Sequence, residues 1–341
     1  MDLKELLDRH QEIVFKKKGQ AVMVLAYHSL GQGICFGGIR LSPPHSEEKA
    51  IKDALRLSEA MTYKLAMINE HYGGCKAAVL MPKTGMTKKF LHNIGELIQE
   101  ENGKFISAID FGFEPDDAKI IREKTKYILA IKDSKFGQSG VTTAYGVLAG
   151  IKCSLQKIYG SETIKGRTFA IQGLGSVGQI LTQELTKAGG NVYISDLDKK
   201  RLDRFKGQAT IVSPDKLLFL NVDVLCPCGP AYVINKNTIP KLNCKIIAGG
   251  ANCQLEDEVH DDHQLYKKKI LVAPDYVINA GGVIQGIEEL KNGSLKKARA
   301  RLPIIVKNLK QIYKISKINR KGTYVVAQKM AIERMKKLAK N

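Results

Sequence analysis

The stretch TFAIQGLGSVGQILTQELTKAGGNVYISD, residues 168–196, decides the fold class. Its apolar start, 168–172, reads as a buried strand, VGQILTQELTKAG as an amphipathic helix, and VYISD as a second strand. Between the first strand and the helix stand Gly173, Gly175 and Gly178, a G-x-G-x-x-G turn. The pattern is weak alone. Between a strand and a helix, its glycines allow a tight turn, close approach of backbone to a pyrophosphate and close helix packing, with helix N–H groups as phosphate donors. Asp196 closes the second strand 18 residues beyond Gly178. A carboxylate there accepts ribose hydroxyls and repels a 2′-phosphate, so the expected cofactor is NAD, not NADP. Lys199, Lys200 and Arg201 follow closely; basic residues at such a corner can hold a phosphate, but they read as the solvated start of a helix.

Working outward, a helix is expected over 142–159 and further strands at 222–226, 245–248 and 270–273. Alternating strands and helices make residues 136–304 an α/β Rossmann domain with a hinge near 136–140. Ahead of it the pattern predicts a helix over 3–17, a strand over 21–27, and a turn-rich segment around Gly31, Gly33, Gly37 and Gly38. A helix over 46–69, a strand over 77–82, a helix over 88–100 and a strand over 105–110 complete a first α/β domain, residues 1–135. The lysine-rich segment from 294 onward is apolar on one face, and residues 305–341 are expected to pack back on that first domain. Two domains suit a chain of 341 residues.

With 44% hydrophobic and 26% charged residues, the chain is expected to be folded and soluble. The start, MDLKELLDRHQEIVFKK, breaks its apolar residues with charges, unlike a signal peptide, and no run is long enough to span a bilayer. A cytoplasmic location without membrane contact is expected. Seven scattered cysteines, with Cys226 and Cys228 the one close pair, match neither zinc nor thioredoxin spacing, so reduced thiols and no metal are expected. His260 and His263 in HDDH read as solvated residues of a polar turn. The net charge of +20 would favour anionic partners. The lysines are dispersed through segments such as LKKARARLPIIVKNLKQIYKISK, read as one helix with a solvated face, and no nucleic-acid module accompanies them, which argues against nucleic acid as a partner.

Two lysines in the first domain flank a glycine break: Lys64 in MTYKLA and Lys76 after Gly73, Gly74 and Cys75. Taken singly, each reads as a surface charge. Converging on one pocket, two ammonium groups lower each other's affinity for a proton, so that one can bind a carboxylate while the other works as a base. Asp110, ending the apolar FISAID run, is the natural acidic partner, although a buried structural aspartate is an equal reading of that residue alone.

GGIR (37–40), MTYK (61–64), GGCK (73–76), Asp110-Phe111-Gly112, TAYGV (143–147), GLGSVG (173–178), the CPC and AGGAN segments, PDYVINAGGV (274–283) and TYVVAQKM (323–330) occur in the order seen in the Glu/Leu/Phe/Val dehydrogenases. The chain resembles that family, its leucine-specific branch most, over nearly its whole length. The resemblance implies an N-terminal α/β substrate domain, a C-terminal Rossmann domain, a cleft between them that closes in turnover, and a homo-oligomer. It also implies roles. Lys64 would pair with the substrate α-carboxylate, Lys76 would activate the water that attacks the imino carbon, and Asp110 would shuttle protons on the amine. Gly37 and Gly38 would line the substrate site, with Asn279 and Val283. Thr143, Ser176, Val177, Cys226, Pro227, Ala248 and Asn252 match cofactor-side positions of the family.

Specificity is partly legible. Glutamate dehydrogenases of this family usually carry a lysine where this chain has Phe36, and a carboxylate against a phenyl ring is costly, which disfavours glutamate. Gly286 stands where leucine dehydrogenases tend to have a larger aliphatic residue, and Phe36 is larger than their leucine, so the pocket is reshaped. The expected reaction is NAD-dependent oxidative deamination of a small apolar, branched-chain L-amino acid to its 2-oxo acid and ammonium. A glutamate or phenylalanine dehydrogenase, and a catalytically silent nucleotide- or nucleic-acid-binding homologue, stay open as alternatives. Two departures stand out: Cys75 at a position commonly small, read as a packing residue rather than an activated thiol, and Glu70 with His71 in an apolar lead-in.

Overall fold

The computed structural model describes residues 3–131 and 134–338. The protein resolves into two compact units, one comprising the chain up to Ser139 with Gln285–Leu295 and the stretch from Ile332, the other Gly140–Ile284 with Lys296–Ala331.

The first unit contains α1 (Leu3–Asp8), β1 (Glu12–Lys18), β2 (Ala21–Tyr27), β3 (Cys35–Ser42), α2 (Glu47–Met67), β4 (Gly73–Leu80), α3 (Lys88–Glu100), β5 (Phe105–Ile109) and α4 (Pro115–Arg122). Its five strands run in the order β1-β2-β4-β3-β5; β1, β2 and β4 pair antiparallel, whereas β3 lies parallel to both β4 and β5. Side chains alternate between the two faces. Met23, Leu25, Ile39, Cys75 and Val79 point to one face and bury the apolar stripe of α3, Phe90, Leu91, Ile94, Leu97 and Ile98. Removing one such buried side chain costs about 2–5 kcal/mol. On the other face Val24, Ala26 and Ala78 of β2 and β4 pack on Leu6 of α1 and on Ala50, Ala54 and Leu55 of α2, in a cluster that takes no residue from β3 or β5.

Two expectations are corrected here. The helix expected over 3–17 ends at Asp8, and Glu12–Lys18 is a strand, paired from Glu12↔Tyr27 to Lys18↔Ala21 around a turn with Gly19 at φ +53°. Cross-strand pairing overrides a helical spacing of apolar residues that was short and rich in charge. The segment read as turns around Gly37 and Gly38 is β3, at the interior of the sheet between β4 and β5.

In the second unit the chain runs through α5 (Ser139–Tyr159), β6 (Thr168–Gln172), α6 (Gly178–Lys187), β7 (Asn191–Ser195), α7 (Lys199–Asp203), β8 (Thr210–Ile211), α8 (Pro214–Leu217), β9 (Val224–Pro227), β10 (Ile246–Ile247), α9 (His260–Lys267), β11 (Leu271–Val272) and α10 (Asp275–Ile278). There follow α11 (Gly281–Leu290), α12 (Leu295–Ala300), α13 (Pro303–Asn319) and α14 (Thr323–Leu338). The six strands are parallel in the order β11-β10-β9-β6-β7-β8, a doubly wound sheet whose direction of winding reverses at β6.

The C-terminal segment departs from expectation. Residues 305–331 belong to the second unit, and 285–295 to the first. The cause is the fit of α13 to α5: Ile305 and Leu309 lie over Gly146 and Gly150, and Tyr313 Oη is 2.8 Å from Ser154 Oγ. The continuous helix expected over 295–317 is broken in two, with Pro303 in the first turn of α13. The last three positions of the expected helical tail, like four positions of the expected first domain, lie outside the described residues. Among the described residues no helix is long and apolar enough to cross a membrane.

At the start of α14 the carboxylate of Asp262 accepts the backbone N–H groups of Tyr324 and Val325, at 3.2 and 3.1 Å. Burial outweighs these donors and pushes its pKa up to about 6 from an ordinary 3.8. A carboxyl that holds its proton more tightly folded than unfolded contributes stability in full below about pH 3.8 and loses it as pH rises through about 6. Thermal unfolding of Asp262→Asn, which keeps one acceptor oxygen and cannot ionise, is expected to show a smaller decline in stability over that window than the parent protein; parallel curves would refute the assignment.

Candidate active site

The parity of β3 builds the site in the first unit. Cys35, Ile39 and Leu41 belong to the apolar core on one face; Phe36, Gly38 and Arg40 therefore point to the other. In register beside them on β5 come Ile106 opposite Phe36 and Ala108 opposite Gly38, with Asp110 immediately past the strand. From β4 comes Lys76, whose neighbour Cys75 faces the core. The ammonium of Lys76 donates to Asp110 Oδ2 at 2.6 Å, and Arg40 Nε donates to the same oxygen at 3.2 Å. Lys76 is 4% exposed overall, while the Asp110 side chain keeps 23% of its surface open. Burial alone would raise the pKa of Asp110, but the charges of Lys76 and Arg40 outweigh it and hold the carboxyl well below its ordinary range. Separating a buried pair of this kind costs about 3–5 kcal/mol, so the two groups are held together as a unit.

Glycine makes room for that pair. A Cβ on Gly38 would lie 2.8 Å from Lys76 Nζ and 3.2 Å from Asp110 Cβ. On the other face, a Cβ on Gly37 would lie 1.9 Å from the carbonyl oxygen of Cys75. Gly74 lets α2 press onto β4, since a Cβ there would lie 2.3 Å from Thr62 N. Two residues further along α2, in its last turn, stands Lys64, 6% exposed. Next to Gly38 on the same face, Phe36 is buried with its ring 4.8 Å from that of Tyr72. Gly286, in α11, presents its backbone to Phe36: a Cβ would sit 4.0 Å from Phe36 Cε1 and 3.8 Å from Leu129 Cδ1. Cys75 is fully buried, and burial pushes its thiol well above the ordinary range, as expected of a packing residue.

The second unit holds a separate constellation. Gly173 adopts φ +89°, a Cβ on Gly178 would lie 1.9 Å from Gly173 O, and around Gly175 nothing lies within 4 Å of such an atom. One glycine thus turns the chain, one lets α6 approach, and one leaves backbone open. Gly140, at the start of α5, packs on Ser176, and Gly250 on Val177. Asp196 accepts Leu174 N at 2.6 Å and Asp198 N at 2.8 Å, which fixes its carboxylate beside the glycine turn; Arg201 Nη1 is 3.8 Å from it. Cys226 and Ala248 are buried at the ends of β9 and β10, and Pro227 O accepts Ala251 N at 2.9 Å. Asn279 Nδ2 donates to Asn252 Oδ1 at 2.9 Å and to Gly250 O at 3.3 Å, while its own buried carbonyl oxygen has no protein partner. Thr143 lies in the first turns of α5, where its N–H is 2.9 Å from the Cβ position of Gly281, and Val283 is half-buried in α11. His260 Nδ1 is 3.3 Å from Asp261 Oδ1, and among the described residues no group of three or more His, Cys, Asp or Glu is placed to hold a metal ion.

Arg40 and Tyr72 are the residues that sequence reasoning missed. Arg40 was part of GGIR, but only a strand through those glycines puts it on the face of Phe36 and Gly38.

A five-stranded unit bearing a buried lysine–aspartate pair, joined to a doubly wound nucleotide-binding sheet, defines a dinucleotide-dependent dehydrogenase. Comparison with known proteins names the family. The Glutamate/Leucine/Phenylalanine/Valine dehydrogenase profile matches residues 193–341, and the profile of the Glu/Leu/Phe/Val dehydrogenase dimerisation domain matches residues 12–127. A leucine dehydrogenase of Bacillus cereus is 35% identical over 348 residues, covering 99% of this chain and 94% of that protein. A phenylalanine dehydrogenase of Lysinibacillus sphaericus is 34% identical over 324 residues, covering 92% and 85%. The crystal structure of L-tryptophan dehydrogenase from Nostoc punctiforme superposes with a TM-score of 0.78 at 34% identity over 99% of both chains. The chain belongs to the Glu/Leu/Phe/Val dehydrogenase family of amino-acid dehydrogenases, which are oxidoreductases.

Because the atoms nearest a Cβ on Gly38 are the mobile end of Lys76 and one carbon of Asp110, Gly38→Ala is expected to leave the fold standing and displace the ammonium. Dehydrogenase turnover is expected to fall by about tenfold or more; undiminished turnover would show that the position of the lysine is not set at this glycine.

Proposed function

We propose that the protein oxidatively deaminates a small apolar, branched-chain L-amino acid to its 2-oxo acid and ammonium, with NAD as hydride acceptor. The observation that carries this reading is the Lys76–Asp110 pair, 2.6 Å apart over Gly38, with the phenyl ring of Phe36 as its neighbour on the same face. Lys64 pairs with the substrate carboxylate. Held anionic by Lys76 and Arg40, Asp110 accepts a hydrogen bond from the substrate ammonium and exchanges its proton in concert with Lys76. Lys76 then orients and activates the water that attacks the imino carbon, and its positive charge stabilises the oxygen as negative charge develops there. Phe36 offers no cation to a distal carboxylate, which supports an apolar side chain over glutamate.

The residues of the glycine turn fit a dinucleotide: the open backbone at Gly175 suits a pyrophosphate at the start of α6, and the fixed carboxylate of Asp196 suits a ribose diol. NAD, when bound there, would supply the acceptor for the hydride of the substrate Cα. Cys226, Pro227, Ala248 and Thr143 would shape the nucleotide site, and the buried carbonyl oxygen of Asn279, paired through its amide nitrogen with Asn252, is an acceptor for a polar N–H of the nucleotide. A homo-oligomer is part of the proposal, supported by the match of residues 12–127 to a dimerisation domain.

A second reading has its own support. The space beside Gly286, with no atom closer than 3.8 Å to a Cβ there, suits an aromatic substrate side chain, and relatives at similar identity are named phenylalanine and L-tryptophan dehydrogenases. Initial rates of NADH formation with leucine, valine, isoleucine, phenylalanine and tryptophan separate the two. Branched-chain substrates are expected to lead, NAD to exceed NADP, and Lys76→Ala to lower the rate about a hundredfold or more. Activity that survives in Lys76→Ala removes the role assigned to that lysine; phenylalanine or tryptophan in the lead selects the aromatic reading. In Gly286→Val, activity on phenylalanine is expected to fall about tenfold relative to leucine; an unchanged ratio would place Gly286 outside the pocket.

A further inference from the structure

Glu70 and Tyr72 lie in the lead-in to β4, where a plain apolar segment would satisfy the fold. Glu70 is nonetheless 8% exposed, and its Oε2 is 3.1 Å from the ammonium of Lys291, just beyond α11. The same ammonium stands over the ring of Tyr72, 5.4 Å from its centroid, and Tyr72 also meets Phe36, at 4.8 Å between ring centroids. Phe36 in turn borders the space left by Gly286. The helix that carries Gly286 is anchored in this unit on its own account: Gln285 Nε2 donates to the carbonyls of Phe136 and Gly137 at 3.1 and 3.0 Å, and Glu289 Oε2 accepts Ala130 N at 3.0 Å. A carboxylate, an ammonium and two aromatic rings are thus in contact in succession, ending on the sheet face that carries Gly38.

The geometry points to a device that sets substrate specificity: Tyr72 is a specificity-determining residue that backs Phe36, and Glu70 and Lys291 are positioning residues that hold Tyr72 in place. The inference rests on the reading of Phe36 and Gly286 as the substrate side-chain pocket. A cation over an aromatic face draws the ring toward it, and a buried carboxylate fixes the cation, so the ring has one preferred seat. With that seat enforced, the wall formed by Phe36 has one position, and the pocket discriminates by width. Without it, the two rings repack, and side chains of different size are accepted more evenly.

The test is kcat and KM for leucine, valine, isoleucine, phenylalanine and tryptophan in the full-length protein and in Lys291→Met, Lys291→Arg and Glu70→Gln. Lys291→Met and Glu70→Gln are expected to narrow the ratio of kcat/KM between the best and poorest substrates by about fivefold or more, through KM, with kcat for the best substrate within about twofold. Lys291→Arg, which keeps the charge over the ring and the pairing with Glu70, is expected to restore the ratio. A purely structural role would lower melting temperature and reduce all substrates by one common factor; that result, or an unchanged ratio, overturns the inference while leaving the dehydrogenase reading intact. Wild-type protein that turns over no amino acid overturns both.

Discussion

An ammonium and a carboxylate 2.6 Å apart on a face of a β-sheet, one of them 4% exposed, impose conditions on everything around them. Neither charge is tolerable there alone, and neither can move far from the other. Lys76 and Asp110 come from strands on either side of β3, so the strand between them must present nothing at the point where they meet, and Gly38 presents nothing. Its neighbour Gly37 answers to a different neighbour, the backbone of β4, and Gly74 to α2. Three glycines that would weaken a strand on propensity alone are each required by a contact. The parallel pairing of β3 with both flanking strands follows, because it is what carries residues from β4 and β5 to the same level of the sheet.

The nucleotide unit uses the same residue for another purpose. At Gly173 the need is a left-handed backbone, at Gly178 the approach of a helix, and only at Gly175 is the empty space not filled by the protein itself. Glycine in the first unit makes room for side chains of the chain; at Gly175 it leaves the backbone open. Asp196 belongs with that turn as a matter of structure, since its oxygens already satisfy two backbone N–H groups.

This difference explains how far the sequence could be read. The doubly wound unit was legible from residues 168–196, because strand, glycine turn, helix and strand are local and their periodicities distinct. In the first unit the long helix α2, the helix α3 and the strands β2 and β5 follow from local pattern, and Lys76 and Asp110 were singled out from their setting beside glycines and an apolar run. β1 and β3 were not legible. Glu12–Lys18 is a strand because β2 lies beside it, and Cys35–Ser42 is a strand despite its glycines because the sheet on both sides demands them. Losing β3 meant losing its parity, and with the parity the place of Arg40 beside Asp110. The fit of α13 to Gly146 and Gly150 of α5 was beyond reach for a similar reason: an apolar stripe announces that a helix is buried, but not on what.

The chain threads its two units in an interleaved order, with α11 and α14 each beginning in the second unit and ending in the first. The first unit therefore owns both early and late parts of the polypeptide, and Arg334, near the C-terminal end, donates to the carbonyl of Met67 at the end of the helix that bears Lys64, at 2.9 Å. On the ribosome the segments that carry Lys76 and Asp110 emerge first, yet the arginine that caps that helix is made only after the whole nucleotide sheet. The substrate-side unit cannot be completed by its N-terminal half alone, and a truncated translation product, however well its first sheet folds, leaves the carbonyl end of that helix without its arginine.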